Sequence, residues 1–211
     1  MDPNDYTSYL LLCLAVVVWC ALHSAMISVK VTQFLQTHAG SHYRFYRLVF
    51  NLIAIMSLVP VILYQRALQT EPFFDWDGYL RIVQVVFITL GIILFLLGAK
   101  KYDARRFFGF AQLKDTSSRQ SMNASGELDT TGIHGLVRHP WYTALLLILW
   151  ARPLDISTLI INSVFSAYLV IGSLLEERKL VMEFGDAYQH YQKTVSMLLP
   201  FKWLRSYLFR L

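Results

Sequence analysis

Charge is what this sequence has least of. Lys, Arg, Asp and Glu make up 16% of its 211 residues, against about 25% in a soluble domain. With 55% hydrophobic residues and a mean hydropathy of +0.44, that shortfall excludes an ordinary soluble domain and implies an integral membrane protein. Cysteine is scarce as well. Cys13 and Cys20 are the only two, and seven residues on one helix set them about 10 Å apart along the axis. That is too far for a disulfide, so they read as small buried hydrophobes, and no metal site is supported. No Lys or Arg precedes Lys30, while Asp2 and Asp5 open the sequence, the reverse of a secretory n-region. The first apolar run is therefore expected to stay as a transmembrane helix. No internal repeat or linker divides the sequence, and a single domain over residues 1–211 is expected.

The few charges are unevenly placed. The net charge is +5 and the isoelectric point is about 9.2. No nucleic-acid motif accompanies this surplus. The positive-inside rule and contact with membrane lipid account for it instead. Apolar segments are read at Thr7–Val29, Leu48–Gln65, Leu80–Ala99, Pro140–Ala151 and Ile156–Leu175. Loop 30–47 holds three bases and no acid, stretch 100–138 seven bases and four acids, and loop 66–79 one base and three acids. Five spans with the N-terminus outside place both basic loops and the tail in the cytoplasm. The fold class expected is an all-α integral membrane protein of about five transmembrane helices, with a C-terminal helical hairpin and a cytoplasmic amphipathic tail. A bacterial inner membrane or an endomembrane would suit it.

Several details need comment. The fourth segment rises only about 18 Å, short of a core about 30 Å thick. It is read with the fifth as a tight hairpin turned by Arg152–Asp155. Pro60 is expected to kink the second span. His23 in the first span is read either as a packing hydrogen-bond partner or as a pocket lining residue. The Ser/Asn/Gln-rich run 114–126 is expected to be mobile, and Gly185 to end a helix.

Two polar clusters flank the hairpin: Gly132-Ile-His-Gly-Leu-Val-Arg-His-Pro-Trp-Tyr142 and Leu175-Glu-Glu-Arg-Lys179. Antiparallel packing would bring Arg138, His139 and Tyr142 to Glu176 and Glu177. Arg and Tyr at a helix end are ordinary interfacial anchors. Two adjacent glutamates are not, because acids contribute little to orientation, and a half-buried Glu–Arg pair costs desolvation that packing alone does not require. A binding site is the better reading. Tyr188 and Tyr191 share a helix face, either as packing or as a wall whose ring faces attract a cation.

The order Arg138-His-Pro-Trp-Tyr142, Leu175-Glu-Glu-Arg178, Phe184-Gly-Asp-Ala-Tyr-Gln-His-Tyr191 and Leu198-Leu-Pro200 resembles the isoprenylcysteine carboxyl methyltransferase superfamily. Within it the likeness is to the bacterial methanethiol S-methyltransferases and the related NnrU-like accessory membrane proteins. The resemblance covers about 80 residues well. It extends weakly to Leu22-His-Ser-Ala25 and to Lys101-Tyr-Asp103 with Phe108-Gly109. It implies an S-adenosylmethionine site in the cytoplasmic half, about residues 100–200. His134, His139, Pro140, Tyr142, Tyr188 and Tyr191 would line the donor, and Arg138 with Glu176 or Glu177 would shape the reacting site. A small thiol or lipid-soluble acceptor would enter from the bilayer. The motif departs from the family pattern at His134, where Tyr is frequent, and at Ser196, where Pro is usual. Two other readings share part of the pattern: a non-catalytic accessory protein and an NADPH-dependent reductase of sterol type. On the sequence alone, Arg138→Ala should lower turnover more than abundance.

Overall fold

A computed structural model describes residues 6–100, 105, 108–114 and 128–208. Asp2, Asp5, Lys101–Asp103 and most of the run expected to be mobile lie outside the described residues. Nine helices are assigned in the described chain, with two short 3-10 turns and two isolated β-bridges. The helices are α1 (Tyr6–Met26), α2 (Val29–His38), α3 (Tyr46–Ala67), α4 (Leu80–Ala99), α5 (Phe110–Lys114), α6 (Pro140–Trp150), α7 (Ile156–Phe184), α8 (Asp186–Thr194) and α9 (Phe201–Leu208). Among the described residues, four stretches are long and apolar enough to cross a bilayer: Tyr6–Met26, Gly40–Ala67, Leu80–Ala99 and Ile156–Phe184. Helix α6, with 11 residues, rises only about 16 Å. The chain is an all-α multi-pass membrane protein. Loop 30–47 departs from the sequence reading. It is the helix α2, capped by Ser28, whose hydroxyl accepts from the Val31 N–H at 3.4 Å, followed by the 3-10 turn Gly40–Phe45.

The described residues fall into two compact units. The first lies within residues 1–74, 102–124 and 153–165. Here α1 and α3 run antiparallel: Trp19 Nε1 donates to the Ala54 carbonyl at 3.2 Å and to Ser57 Oγ at 3.1 Å, and Tyr64 donates to the Ser8 carbonyl at 3.2 Å. His23 stacks on Trp19 at 4.9 Å and tilts against Phe50 at 5.0 Å, which places it among aromatic rings. Helix α3 continues through Pro60. Gln65, 1% exposed, donates to Ser157 Oγ at 3.1 Å and Thr158 Oγ1 at 3.3 Å.

Asp155 starts α7. Its carboxylate accepts from the Thr158 N–H at 2.9 Å, Ser157 Oγ at 2.8 Å and the Thr70 N–H at 3.1 Å. Burial opposes its charge, but those hydrogen bonds outweigh burial and hold the carboxyl below its usual range.

The second unit lies within residues 75–101, 125–152 and 166–211. Helices α4 and α6 run antiparallel at very close range, made possible by two glycines one heptad apart. A Cβ on Gly91 would stand 2.7 Å from Ile148 Cγ1, and one on Gly98 2.5 Å from the Trp141 ring. Small residues permit such approach where no hydrophobic effect drives helices together. The Trp141 indole stacks on Phe95 at 5.6 Å and donates to the Phe95 carbonyl at 3.1 Å. Gly98→Val is expected to cost about 1–3 kcal/mol by overpacking. The check is the thermal midpoint in detergent, with Gly172→Ala as the neutral control, since nothing lies within 4 Å of a Cβ there. Equal midpoints for the two variants would refute the close contact.

Candidate functional site

The hairpin of α6 and α7 is antiparallel, as read from sequence. Trp150 Nε1 donates to Ser166 Oγ at 2.9 Å, Tyr142 to Glu176 Oε2 at 3.1 Å, and His139 Nε2 stands 3.1 Å from Glu177 Oε1. The apolar part of α7 is followed by the charged turn Glu176–Lys179, which therefore meets the start of α6. Pro140 takes the first turn of α6, where its missing N–H is not needed. The residues before it are pinned by backbone. The Arg138 N–H donates to the Ser196 carbonyl at 2.9 Å and the His139 N–H to the Met197 carbonyl at 3.1 Å, beside a parallel bridge from Val137 to Ser196.

At this junction Arg138 and Glu177 form a buried ion pair. Their side chains are 8% and 7% exposed, with Arg138 Nη2 2.6 Å from Glu177 Oε1 and Nε donating to the same oxygen at 2.7 Å. Arg138 Nη1 donates to the Gln192 carbonyl at 3.1 Å and also to the Val195 carbonyl. Glu177 Oε2 accepts from Gln192 Nε2 at 2.8 Å. Both carboxylate oxygens are thus in use, and one guanidinium ties the start of α6 to α7 and to the end of α8. Charge-assisted bonds of this kind compensate burial only when the remaining donors and acceptors are also met, and here most are.

Glu176 is placed differently. Its side chain is 37% exposed, and Oε2 lies 3.6 Å from His139 Nδ1 while taking the Tyr142 hydroxyl. The His139 and Tyr142 rings stack with centroids 5.5 Å apart. An accessible carboxylate beside two stacked rings suits a cationic group.

Tyr188 and Tyr191 make a second knot. Tyr188 is 1% exposed, and the two rings meet edge to face at 5.7 Å. Burial, with Glu177 nearby, pushes the Tyr188 phenol above its ordinary value, so it stays neutral. The Tyr191 hydroxyl donates to the His134 carbonyl at 2.6 Å, which fixes the 3-10 turn Gly132–Gly135. His134 itself is buried.

Of the residues singled out in sequence, Arg138, His139, Tyr142, Glu176 and Glu177 form one network, Pro140 sets its backbone, and His134, Tyr188 and Tyr191 pack together behind it. Sequence reading missed Gln192 and Thr143. Gln192 spaces four residues after Tyr188, which puts it on the same helix face. Thr143 Oγ1 donates to the Leu198 carbonyl at 2.6 Å and sits four residues after His139, a spacing that also signals one face.

A broad open depression of about 440 Å³ lies beside Arg138, with Gln192, Met197, Leu199, Phe201 and Lys202 among its lining. Neither Glu176 nor Tyr142 lines it, so it is not the polar mouth of the network. Among the described residues no group of three or more His, Cys, Asp or Glu is placed to hold a metal ion.

Fold and site together define an all-helical multi-pass membrane protein with a buried ion pair where a helical hairpin ends. The chain belongs to the NnrU family, whose model, described as NnrU protein, matches residues 11–205. It is similar to a methanethiol S-methyltransferase of Pseudomonas deceptionensis, 34% identical over 129 residues, which are 59% of this chain and 49% of that protein. A methanethiol S-methyltransferase of Pseudomonas sp. (strain GM41(2012)) is 33% identical over 112 residues, 53% of this chain and 43% of that protein. Methanethiol S-methyltransferase 1 of Bradyrhizobium diazoefficiens is 40% identical over 75 residues, 35% of this chain and 26% of that protein. The chain spans about half the length, or less, of the curated relatives it matches. No solved structure matches it significantly.

Proposed function

We propose that the protein is a membrane methyltransferase that uses S-adenosylmethionine and methylates a small thiol, methanethiol-like, or another lipid-soluble acceptor. The single observation that carries this reading is the division of the two glutamates. Glu177 is enclosed by Arg138, His139 and Gln192, while Glu176 is left accessible beside Tyr142. The names of the curated relatives point the same way.

The residues present fit the donor, which carries an ammonium and a sulfonium. Glu176 and the stacked faces of His139 and Tyr142 would hold its cationic part by charge and by ring quadrupole. Bound there, S-adenosylmethionine would supply a methyl group on a cationic sulfur. The chain's own work is positional. The Arg138–Glu177 pair holds the start of α6 against α7 and α8, so His139 and Tyr142 keep fixed places. Tyr188 and Tyr191 fill the space behind the network and exclude water there, which favours a step that dissipates charge. A thiol acceptor, with a pKa of about 8.5, needs only modest help to ionise, and no general base is assigned. The site would face the cytoplasm, with the N-terminus outside, in line with the basic loops.

A second reading, a non-catalytic accessory protein, rests on the match to the NnrU family. Calorimetric titration of detergent-purified protein with S-adenosylhomocysteine, and in parallel with NADPH, separates these readings. Saturable binding of S-adenosylhomocysteine, lost on changing Tyr142, is expected. Binding of NADPH alone would make it a reductase, and binding of neither would leave the accessory role.

A further inference from the structure

Helix α9 buries none of its residues, although its side chains sort cleanly by character. At 100° per residue Phe201, Trp203, Leu204, Tyr207 and Leu208 fall on one half of the helix, and Lys202, Arg205 and Ser206 on the other. The apolar half is bare: Phe201 is 66% exposed, Tyr207 64% and Leu208 63%. Trp203 and Tyr207 stack at 5.7 Å, a pair of the amphipathic rings that settle at headgroup level. No acid occurs between Val195 and Leu211, where Lys202, Arg205 and Arg210 supply three positive charges.

We propose that α9 is an interfacial helix that docks on the anionic lipid surface of the membrane the chain itself spans, and that its docking holds one wall of the neighbouring site. The bilayer fits this face better than a second copy does. The spans keep a leaflet permanently within reach, the charge is of the sign that anionic headgroups attract, and the aromatic pair is of the interfacial kind. A protein partner would have to supply an acidic rim, and no segment between Val195 and Leu211 offers one to a second copy.

The link to the site is made by Lys202. Its Nζ donates to the Gln192 carbonyl at 2.6 Å and its N–H to Ser196 Oγ at 2.9 Å. The Gln192 carbonyl also receives Arg138, and the Ser196 carbonyl receives the Arg138 N–H. The first turn of α9 is therefore fastened to Gln192 and Ser196, two of the three residues whose carbonyls hold Arg138. The open depression beside Arg138 has Phe201 and Lys202 in its lining, so the position of α9 decides how wide it stands. None of this depends on the reaction proposed above.

The test is hydrogen exchange of the full chain in nanodiscs, read on the peptide over residues 199–208. One disc is phosphatidylcholine alone, and the other carries about a third phosphatidylglycerol. Exchange is expected to be about tenfold slower in the anionic disc, since two basic side chains lie near the surface. The double variant L204E and L208E should lose that difference. Both positions are exposed, so the fold should be kept, as a wild-type elution profile would verify. Exchange that is the same in both discs and unmoved by the double variant would overturn the proposal. Protection that rises with protein concentration at fixed lipid would also overturn it, in favour of contact between copies.

Discussion

Arg138→Ala is expected to remove folded protein together with activity. The sequence placed Arg138 at a ligand, where its loss would cut turnover and spare abundance. In the structure it is enclosed, with Nε and Nη2 on Glu177 and Nη1 on the backbone of Gln192 and Val195. Truncation leaves the Glu177 carboxylate buried without its main counter-ion, and takes the Arg138 donor from the Val195 carbonyl. Breaking one side of a buried pair costs about 3–5 kcal/mol, a large share of a typical stability of about 5–15 kcal/mol. The measurement is monodisperse yield by fluorescence-detected size exclusion, with the thermal midpoint of whatever survives. Wild-type yield and midpoint with activity abolished would return Arg138 to the ligand and refute its structural role.

Glu176→Gln is expected to behave the opposite way. The side chain is 37% exposed, and the Tyr142 hydroxyl can still bond to a carboxamide oxygen, so yield and thermal midpoint should scarcely move. Affinity for S-adenosylhomocysteine should fall by at least about tenfold, because a hydrogen bond to a charged group contributes about 1.5–3 kcal/mol. A loss confined to KM or Kd, with stability untouched, is the signature sought. Undiminished affinity would show that the donor's cationic end sits elsewhere, and the division of labour between the two glutamates would fail with it.

Sequence and structure agree where hydrophobic period and length are decisive. Leu80–Ala99 is an uninterrupted apolar run, and its bounds were read directly. The hairpin of α6 and α7 was legible because Arg152–Asp155 interrupts two apolar segments. The clusters at its open end had then to meet.

Other features were hidden for identifiable reasons. Loop 30–47 has too few apolar residues to register as a span, yet Ser28 caps it into α2. The continuous apolar run of α7 ends near Leu175, where the sequence bounds the span, but the helix does not end with it. It runs on to Phe184, and Gly185, at φ 56, ends it as read. Which glutamate was enclosed was undecidable from two adjacent identical residues. That choice is made by Gln192, which lies 15 residues beyond Glu177 on another helix.

The closing of Glu177 by residues on both sides of it in the chain bears on the order of synthesis. Arg138 and Glu177 precede Gln192, Val195 and Ser196 in the chain, so they emerge from the ribosome first. Without that later stretch, the ion pair of the hairpin lacks its partners on Gln192 and Val195. Completion waits for α8 to fold back across the hairpin's open end. The site is therefore complete only once α8 is in place, which makes α8 as much a part of it as the hairpin itself.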